Sequence, residues 1–162
     1  MSPANPKRLR TSVLFVCLGN ICRSPLAEGI FVGLVKDAGL EEVFTIDSAG
    51  TGSWHVGSPP DARSVQVAAQ HGLTLECAAR QVSPSDFQDF DHIVAMDRSN
   101  LRDLEGMAQL DGSKAELSLL RSRDPMGGFD VPDPYYGGAN GFERVYRMIE
   151  RCCQELLLDL RG

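Results

Sequence analysis

Val13-Leu14-Phe15-Val16-Cys17-Leu18-Gly19-Asn20-Ile21-Cys22-Arg23-Ser24-Pro25 reads as a buried strand that runs into a tight loop and then into a helix. Four apolar residues in succession, two valines and a phenylalanine among them, suit a central parallel strand, which is covered on both faces and shows no alternation. Gly19 and Asn20 are the types that most easily take left-handed or strained backbone angles. Ser24-Pro25 is a helix-entry pair, a capping hydroxyl followed by the residue favoured at the first helical position. A loop of this kind can aim backbone N–H groups inward as a concave nest, with the positive end of a helix behind it. The hollow fits an anion the size of phosphate. Leu18, Gly19, Asn20, Ile21, Cys22 and Ser24 are its expected binding residues. Cys17 at its rim would be held as a thiolate, and Arg23 adds a two-pronged donor for the oxyanion. The plain alternative is a strand-to-helix turn with a buried cysteine and a solvated arginine; the apolar strand before, Gly-Asn inside and Ser-Pro after weigh against it.

The rest of the composition sets bounds on that reading. A chain of 162 residues is expected to form one domain with a real core; residues 1–11 look like a flexible tail and 12–162 like the domain. A 43% hydrophobic and 23% charged content is ordinary for a soluble globular chain. The net charge of −6 argues against nucleic acid as the main partner and against an anionic membrane surface. An anion loop in an acidic protein therefore needs a local field, from Arg23, the helix end and the backbone. The apolar run Val13–Val16 is too short for a secretory core or a membrane span. With an odd cysteine count of five, this points to reduced thiols in the cytoplasm. Cys17 and Cys22 have no histidine nearby, so no metal is expected.

Beyond the loop, Leu26, Ile30, Phe31, Leu34, Val35 and Ala38 recur at helical spacing up to a stop at Gly39. A second strand is expected over Glu41–Asp47. Ser48–Pro60 is a loop of small residues that carries the only tryptophan, Trp54, which either covers a core edge or lines a binding surface. His55 beside it has no evident acid partner and reads as structural rather than as a base. A helix over Pro60–Gln70 should turn Val65, Ala68 and Ala69 inward. A short helix at Ser83–Asp86, strands at Ile93–Met96 and Leu117–Leu120, and a polar helix over Ser99–Met107 complete the middle. Strands alternating with helices point to a doubly wound parallel sheet, with ligands beyond the carboxyl ends of its strands.

Asp124–Gly138 is too proline-rich for regular structure, and loops of that length are often functional. Asp124 and Asp130 read as solvated surface groups. Asp133 differs: prolines on both sides stiffen its backbone, and Tyr135 and Tyr136 follow close behind, so it is a candidate general acid. The final helix, Phe142–Leu160, has one apolar stripe that includes Cys152 and Cys153, which makes those two core fillers.

Taken together, these pieces resemble the low-molecular-weight protein tyrosine phosphatase family. The opening motif Val13–Pro25 with Ala27-Glu28, then Asp47-Ser48-Ala49, His71-Gly72, Ala79-Arg80-Gln81, Met96-Asp97, Ser99-Asn100-Leu101 and Asp133-Pro134-Tyr135-Tyr136 run in that family's order. The resemblance implies a central four-stranded parallel sheet flanked by helices. It implies hydrolysis of phosphotyrosine and small aryl phosphates through a phosphocysteine, with Cys17 as nucleophile, Arg23 as phosphate binder and Asp133 as general acid and base. Asn20 would brace the loop, the Ser24 hydroxyl would help keep the sulfur ionised, and Trp54, Tyr135 and Tyr136 would wall a deep cleft. It implies no cofactor, phosphotyrosine-containing proteins as partners, and a monomer with at most weak self-association. It also gives Cys22 a second reading, as the thiol that traps an oxidised Cys17 in a disulfide, beside the plainer one of a space filler. Related arsenate reductases need a cysteine relay pair that this chain lacks. Related phosphoarginine phosphatases typically carry threonine where this chain has Ile21, and a binding-only module would lack Cys17 or Asp133.

Overall fold

The computed structural model describes residues 10–111, 113–134 and 140–161. Its order is β1 (Thr11–Cys17), α1 (Arg23–Asp37), a 3-10 turn at Glu41–Val43, β2 (Phe44–Gly50), α2 (Ala62–Gln70), α3 (Asp86–Asp89), β3 (His92–Ala95), α4 (Arg98–Asp111), β4 (Glu116–Leu119), a second 3-10 turn at Leu120–Arg123, and α5 (Gly141–Leu160). The strands form one parallel sheet in the order β2-β1-β3-β4. The chain passes from β1 to β2 on one side, and from β2 crosses back past β1 to reach β3 on the other. The carboxyl end of β1 is therefore a topological switch point, where a crevice opens between diverging connections.

β1 is paired on both sides, and Val13 through Val16 are fully buried. Val13, Phe15 and Cys17 face a core shared with α1 and α5, while Leu14 and Val16 face one shared with Phe87, Phe90 and Leu104. Covering both faces is what an unbroken apolar strand requires. On the first face Phe15, Phe31 and Phe44 meet edge-on, at 5.6 and 5.5 Å between ring centres, each pair contributing about 1 kcal/mol beyond burial. The α5 stripe is buried as its spacing requires, Cys152 and Cys153 included. Burial pushes the Cys152 thiol up to about 12 and Cys153 well above the ordinary range, as expected of thiols that only fill space.

Four local expectations fail. The second strand begins at Phe44, because Glu41–Val43 forms the 3-10 turn that delivers it to the edge of β1, and it runs on to Gly50, so that Ser48, Ala49 and Gly50 pair with β1 rather than opening the expected loop. In α2 the buried residues are Ser64, Val67 and Ala68, and Val65 and Ala69 are exposed; the inward stripe keeps its i, i+3, i+4 spacing but sits one residue earlier, with a serine in it. β1 already includes Thr11, the last residue of the expected tail. Asp124 is not a solvated group: its side chain is fully buried. It accepts from Arg151 at 3.2 and 3.1 Å, from Arg121 at 3.3 Å and from the Met126 N–H at 2.9 Å. Burial opposes its charge, but those donors outweigh it and hold the carboxyl below its ordinary range. Asp124 thereby ties the root of the acid loop to α5.

Candidate active site

The loop after β1 is held from outside by its carbonyl oxygens. Thr51 N–H donates to the Cys17 carbonyl at 2.9 Å and Gly52 N–H to that of Leu18 at 2.9 Å. Asp61 N–H donates to Ile21 at 2.8 Å and Leu26 N–H to Cys22 at 3.3 Å. In a trans peptide the C=O and the following N–H point opposite ways, and no described peptide is cis. Carbonyls drawn outward at 17, 18, 21 and 22 therefore turn the N–H groups of Leu18, Gly19, Cys22 and Arg23 toward the concave side. Asn20 supplies the sharp reversal with φ at +56°, a left-handed angle that asparagine tolerates better than most residues. The end of β2 must come close for this to work. A Cβ on Gly50 would lie 2.7 Å from the Leu18 carbonyl oxygen, so only glycine fits there.

α1 begins at Arg23, with Cys22 at the cap position and no side-chain cap. Ser24 is thus not the capping hydroxyl its Ser-Pro setting predicts. Its Oγ lies 3.0 Å from Cys17 Sγ, leaving the first-turn amides to the hollow. Asn20 N–H donates to the same sulfur at 3.2 Å. One backbone N–H and one hydroxyl thus meet the sulfur beside the N-terminus of α1.

Arg23 is buried, yet it is charged and fixed. Nη1 donates to Asp97 Oδ2 at 2.6 Å and to the Val131 carbonyl at 3.1 Å, and Nη2 lies 3.8 Å from Asp133 Oδ2. Burial works against its charge, but the Cys17 sulfur, Asp97 and Asp133 more than restore it and hold its pKa above the ordinary value. Val131 N–H in turn donates to the Met96 carbonyl at 2.8 Å, which pins the acid loop to the end of β3 two residues before Asp133.

Cys17, Leu18, Gly19, Ile21, Cys22, Arg23, Trp54, His55 and Asp133 line one cleft of about 220 Å³. Most of the sequence-predicted residues thus converge, with Asn20 and Ser24 bracing the floor from beneath. Trp54 is 72% exposed, so it stands on the rim rather than over a core edge. His55, expected to be structural, is in the wall, and a Cβ on Gly19 would meet its ring at 3.0 Å. Tyr135 and Tyr136 lie outside the described residues. Among the described residues, no helix is long and apolar enough to cross a membrane.

Asp97, Ser48 and Arg80 stand in the sequence analysis only as parts of matching motifs, with no role assigned to them. Asp97 stands just past the carboxyl end of β3, where the switch-point rule would have directed attention. Ser48 Oγ accepts from Asn20 Nδ2 at 3.1 Å, and the Arg80 N–H donates to Asn20 Oδ1 at 3.0 Å. Nothing local marks either one.

A parallel α/β fold with a cysteine, a buried arginine and inward-turned backbone N–H groups at its switch point belongs to the class of α/β proteins whose site is built around a cysteine. The model of the family described as low molecular weight phosphotyrosine protein phosphatase matches residues 12–162. The low molecular weight phosphotyrosine protein phosphatase of Gallus gallus is 49% identical over 147 residues, covering 90% of this chain and 93% of the relative. A protein tyrosine phosphatase from Entamoeba histolytica, crystallised with Hepes in its active site, superposes with a TM-score of 0.86 at 38% identity, covering 93% of this chain and 97% of that one. The crystal structure of DARP, the drosophila arginine phosphatase, gives 0.87 at 41% identity, covering 93% and 98%. The chain belongs to the low molecular weight phosphotyrosine protein phosphatase family, a family of hydrolases.

Proposed function

We propose that the protein hydrolyses phosphotyrosine, and small aryl phosphates, through a phosphocysteine intermediate. The observation that carries this reading is the convergence of Cys17, Arg23 and Asp133 on one cleft, with the sulfur held by the Asn20 N–H and by a hydrogen bond with the Ser24 hydroxyl. A phosphate dianion seated in the nest is bound by Arg23 and the inward N–H groups, which also meet the charge that grows on the equatorial oxygens in the transition state. Cys17 Sγ attacks phosphorus in line while Asp133 gives its proton to the departing phenolate oxygen. Asp133 then takes a proton from the water that cleaves the S–P bond, and inorganic phosphate leaves. Trp54 on the rim, with Tyr135 and Tyr136, flanks the ring of the substrate. The same reading takes the protein as a cytoplasmic monomer acting on phosphotyrosine-containing proteins.

The similarity to a protein named as an arginine phosphatase makes phosphoarginine the rival substrate, against which the branched apolar Ile21 in the cleft wall counts. Matched peptides bearing phosphotyrosine, phosphoserine or phosphoarginine, assayed by phosphate release without added metal, separate the two. The expected result is turnover of the phosphotyrosine peptide at least about a hundredfold above the others, a difference near 3 kcal/mol in the transition state. Preference for phosphoarginine would overturn the aryl assignment.

The reading extends to Cys22. Burial, with the charges of Asp61, Asp133 and Cys17, pushes its thiol up to about 12, so it keeps its proton at neutral pH. Peroxide that converts the Cys17 thiolate to a sulfenic acid then leaves a thiol beside it. Condensation of the two forms the Cys17–Cys22 disulfide and releases water. Under equimolar hydrogen peroxide, mass mapping should find this bridge, with activity restored by dithiothreitol. Direct passage of Cys17 to sulfinic acid under that dose would leave Cys22 as a space filler.

A further inference from the structure

The side-chain amide of Asn20 gives direction to a buried hydrogen-bond chain. Its Oδ1 accepts from the Arg80 N–H, so Nδ2 faces the other way, donating to Ser24 Oγ at 2.7 Å and to Ser48 Oγ at 3.1 Å. Both hydroxyl oxygens are thereby acceptors, and each hydroxyl proton must go elsewhere. That of Ser24 goes to Cys17 Sγ at 3.0 Å, the Ala49 carbonyl at 3.4 Å being the poorer acceptor. That of Ser48 goes to Glu28 Oε1 at 2.5 Å, the short separation typical of a hydroxyl donating to an ionised carboxylate. Two chains thus leave Asn20, one ending at the sulfur and the other at Glu28.

We propose that Glu28, as a carboxylate, is a positioning residue for catalysis: it anchors the Ser48 hydroxyl, which aims the Asn20 amide and so keeps the Ser24 hydroxyl donating to Cys17. A neutral carboxylic acid at this position gives up the charge-assisted bond. If it donates its own proton to Ser48, the Ser48 hydroxyl is left in competition with the Asn20 amide. Glu28 is not among the residues that line the catalytic cleft. It lines a second cleft of about 470 Å³ with Lys36, Asp37, Glu76 and Cys77, so it exchanges protons with solvent independently of substrate. Burial disfavours its charge and Asp47 on β2 repels it, while Ser48, Cys77 and the Arg80 guanidinium support it; the net effect lies above the ordinary range for glutamate. The charge-assisted bond from Ser48 is accordingly present where Glu28 is ionised and given up as it takes a proton on the acid side.

The inference rests on the reading of Cys17 as nucleophile, so the decisive measurement does not depend on turnover. The rate of Cys17 alkylation by iodoacetamide, followed by peptide mass mapping, is compared in wild type, Glu28→Gln and Glu28→Leu between pH 5 and 7.5, alongside kcat. At neutral pH Glu28→Leu should alkylate Cys17 and turn over about tenfold more slowly, the scale of one charge-assisted hydrogen bond. Glu28→Gln, whose Oε1 still accepts from Ser48, should stay within about threefold of wild type and lose the part of the acid-side decline that Glu28 protonation causes. A folded Glu28→Leu protein with wild-type alkylation and kcat would overturn the proposal. So would a Glu28→Gln profile that superposes on wild type across the acid limb, the outcome that decides the matter if the leucine variant does not fold. Should Cys17 prove not to be the nucleophile, the alkylation comparison still reads the hydrogen-bond chain.

Discussion

Cys17→Ser is expected to lower hydrolysis of an aryl phosphate by at least about 10⁴-fold, the scale on which an enzyme loses rate when its nucleophile alone is removed, while the fold and the anion site survive. Serine is smaller than cysteine and equally able to accept from Asn20 N–H and Ser24 Oγ, which lie 3.2 and 3.0 Å from the sulfur, so the loop keeps its internal contacts. What is lost is the anion. An alcohol proton is held far more tightly than a thiol proton, and no histidine is seen to donate to or accept from Cys17 among the described residues; a backbone N–H, a hydroxyl and a helix end fall short of making an alkoxide. Removing the sulfur charge also removes repulsion against a phosphate dianion in the same nest. The serine variant should therefore bind inorganic phosphate several-fold more tightly than wild type, as titration calorimetry will measure. Retained turnover would remove Cys17 from the mechanism. Loss of phosphate binding would mean that the nest depends on the sulfur and not on Arg23 and the backbone.

The parts of this site that could be read in the sequence are those whose physics is local. β1, its loop and the start of α1 are contiguous, and the apolar run, Gly19-Asn20 and Ser24-Pro25 each specify a backbone preference without outside help. Asp133 stood out because two prolines stiffen it. The misreadings share one cause, a partner far away in the chain. Ser24 looked like a cap because the competing claim on its hydroxyl, from Cys17 and Asn20, is a matter of three-dimensional closure. Asp124 looked solvated because Arg151 lies 27 residues on, and Asp97 went unmarked because Arg23 precedes it by 74. Ser48 and Glu28 belong to the same class, since their hydrogen bond joins β2 to α1 beneath the loop. The place of His55 in the cleft wall was not legible for a different reason: it follows from the course of an irregular loop, for which no periodicity exists to be read.

Asp133→Asn is expected to lower kcat by roughly 10²–10³-fold for phenyl phosphate, within the range for a general acid, and by far less for an ester whose phenolate leaves without help. The dependence on the leaving group is the signature, because a residue needed only for binding would slow both substrates alike. The geometry supports an acid on this loop. Val131 fixes its base through Met96 and Arg23, and Asp133 itself stands at the cleft with its carboxylate oxygen 3.8 Å from Arg23 Nη2. The sign of the pH effect follows. The protonated form is the active one, so kcat falls on the alkaline side as Asp133 ionises, and asparagine, which never ionises, should flatten that limb. A limb that persists unchanged in Asp133→Asn would assign the proton to another group, and His55, in the wall of the same cleft, would be the first to replace in turn.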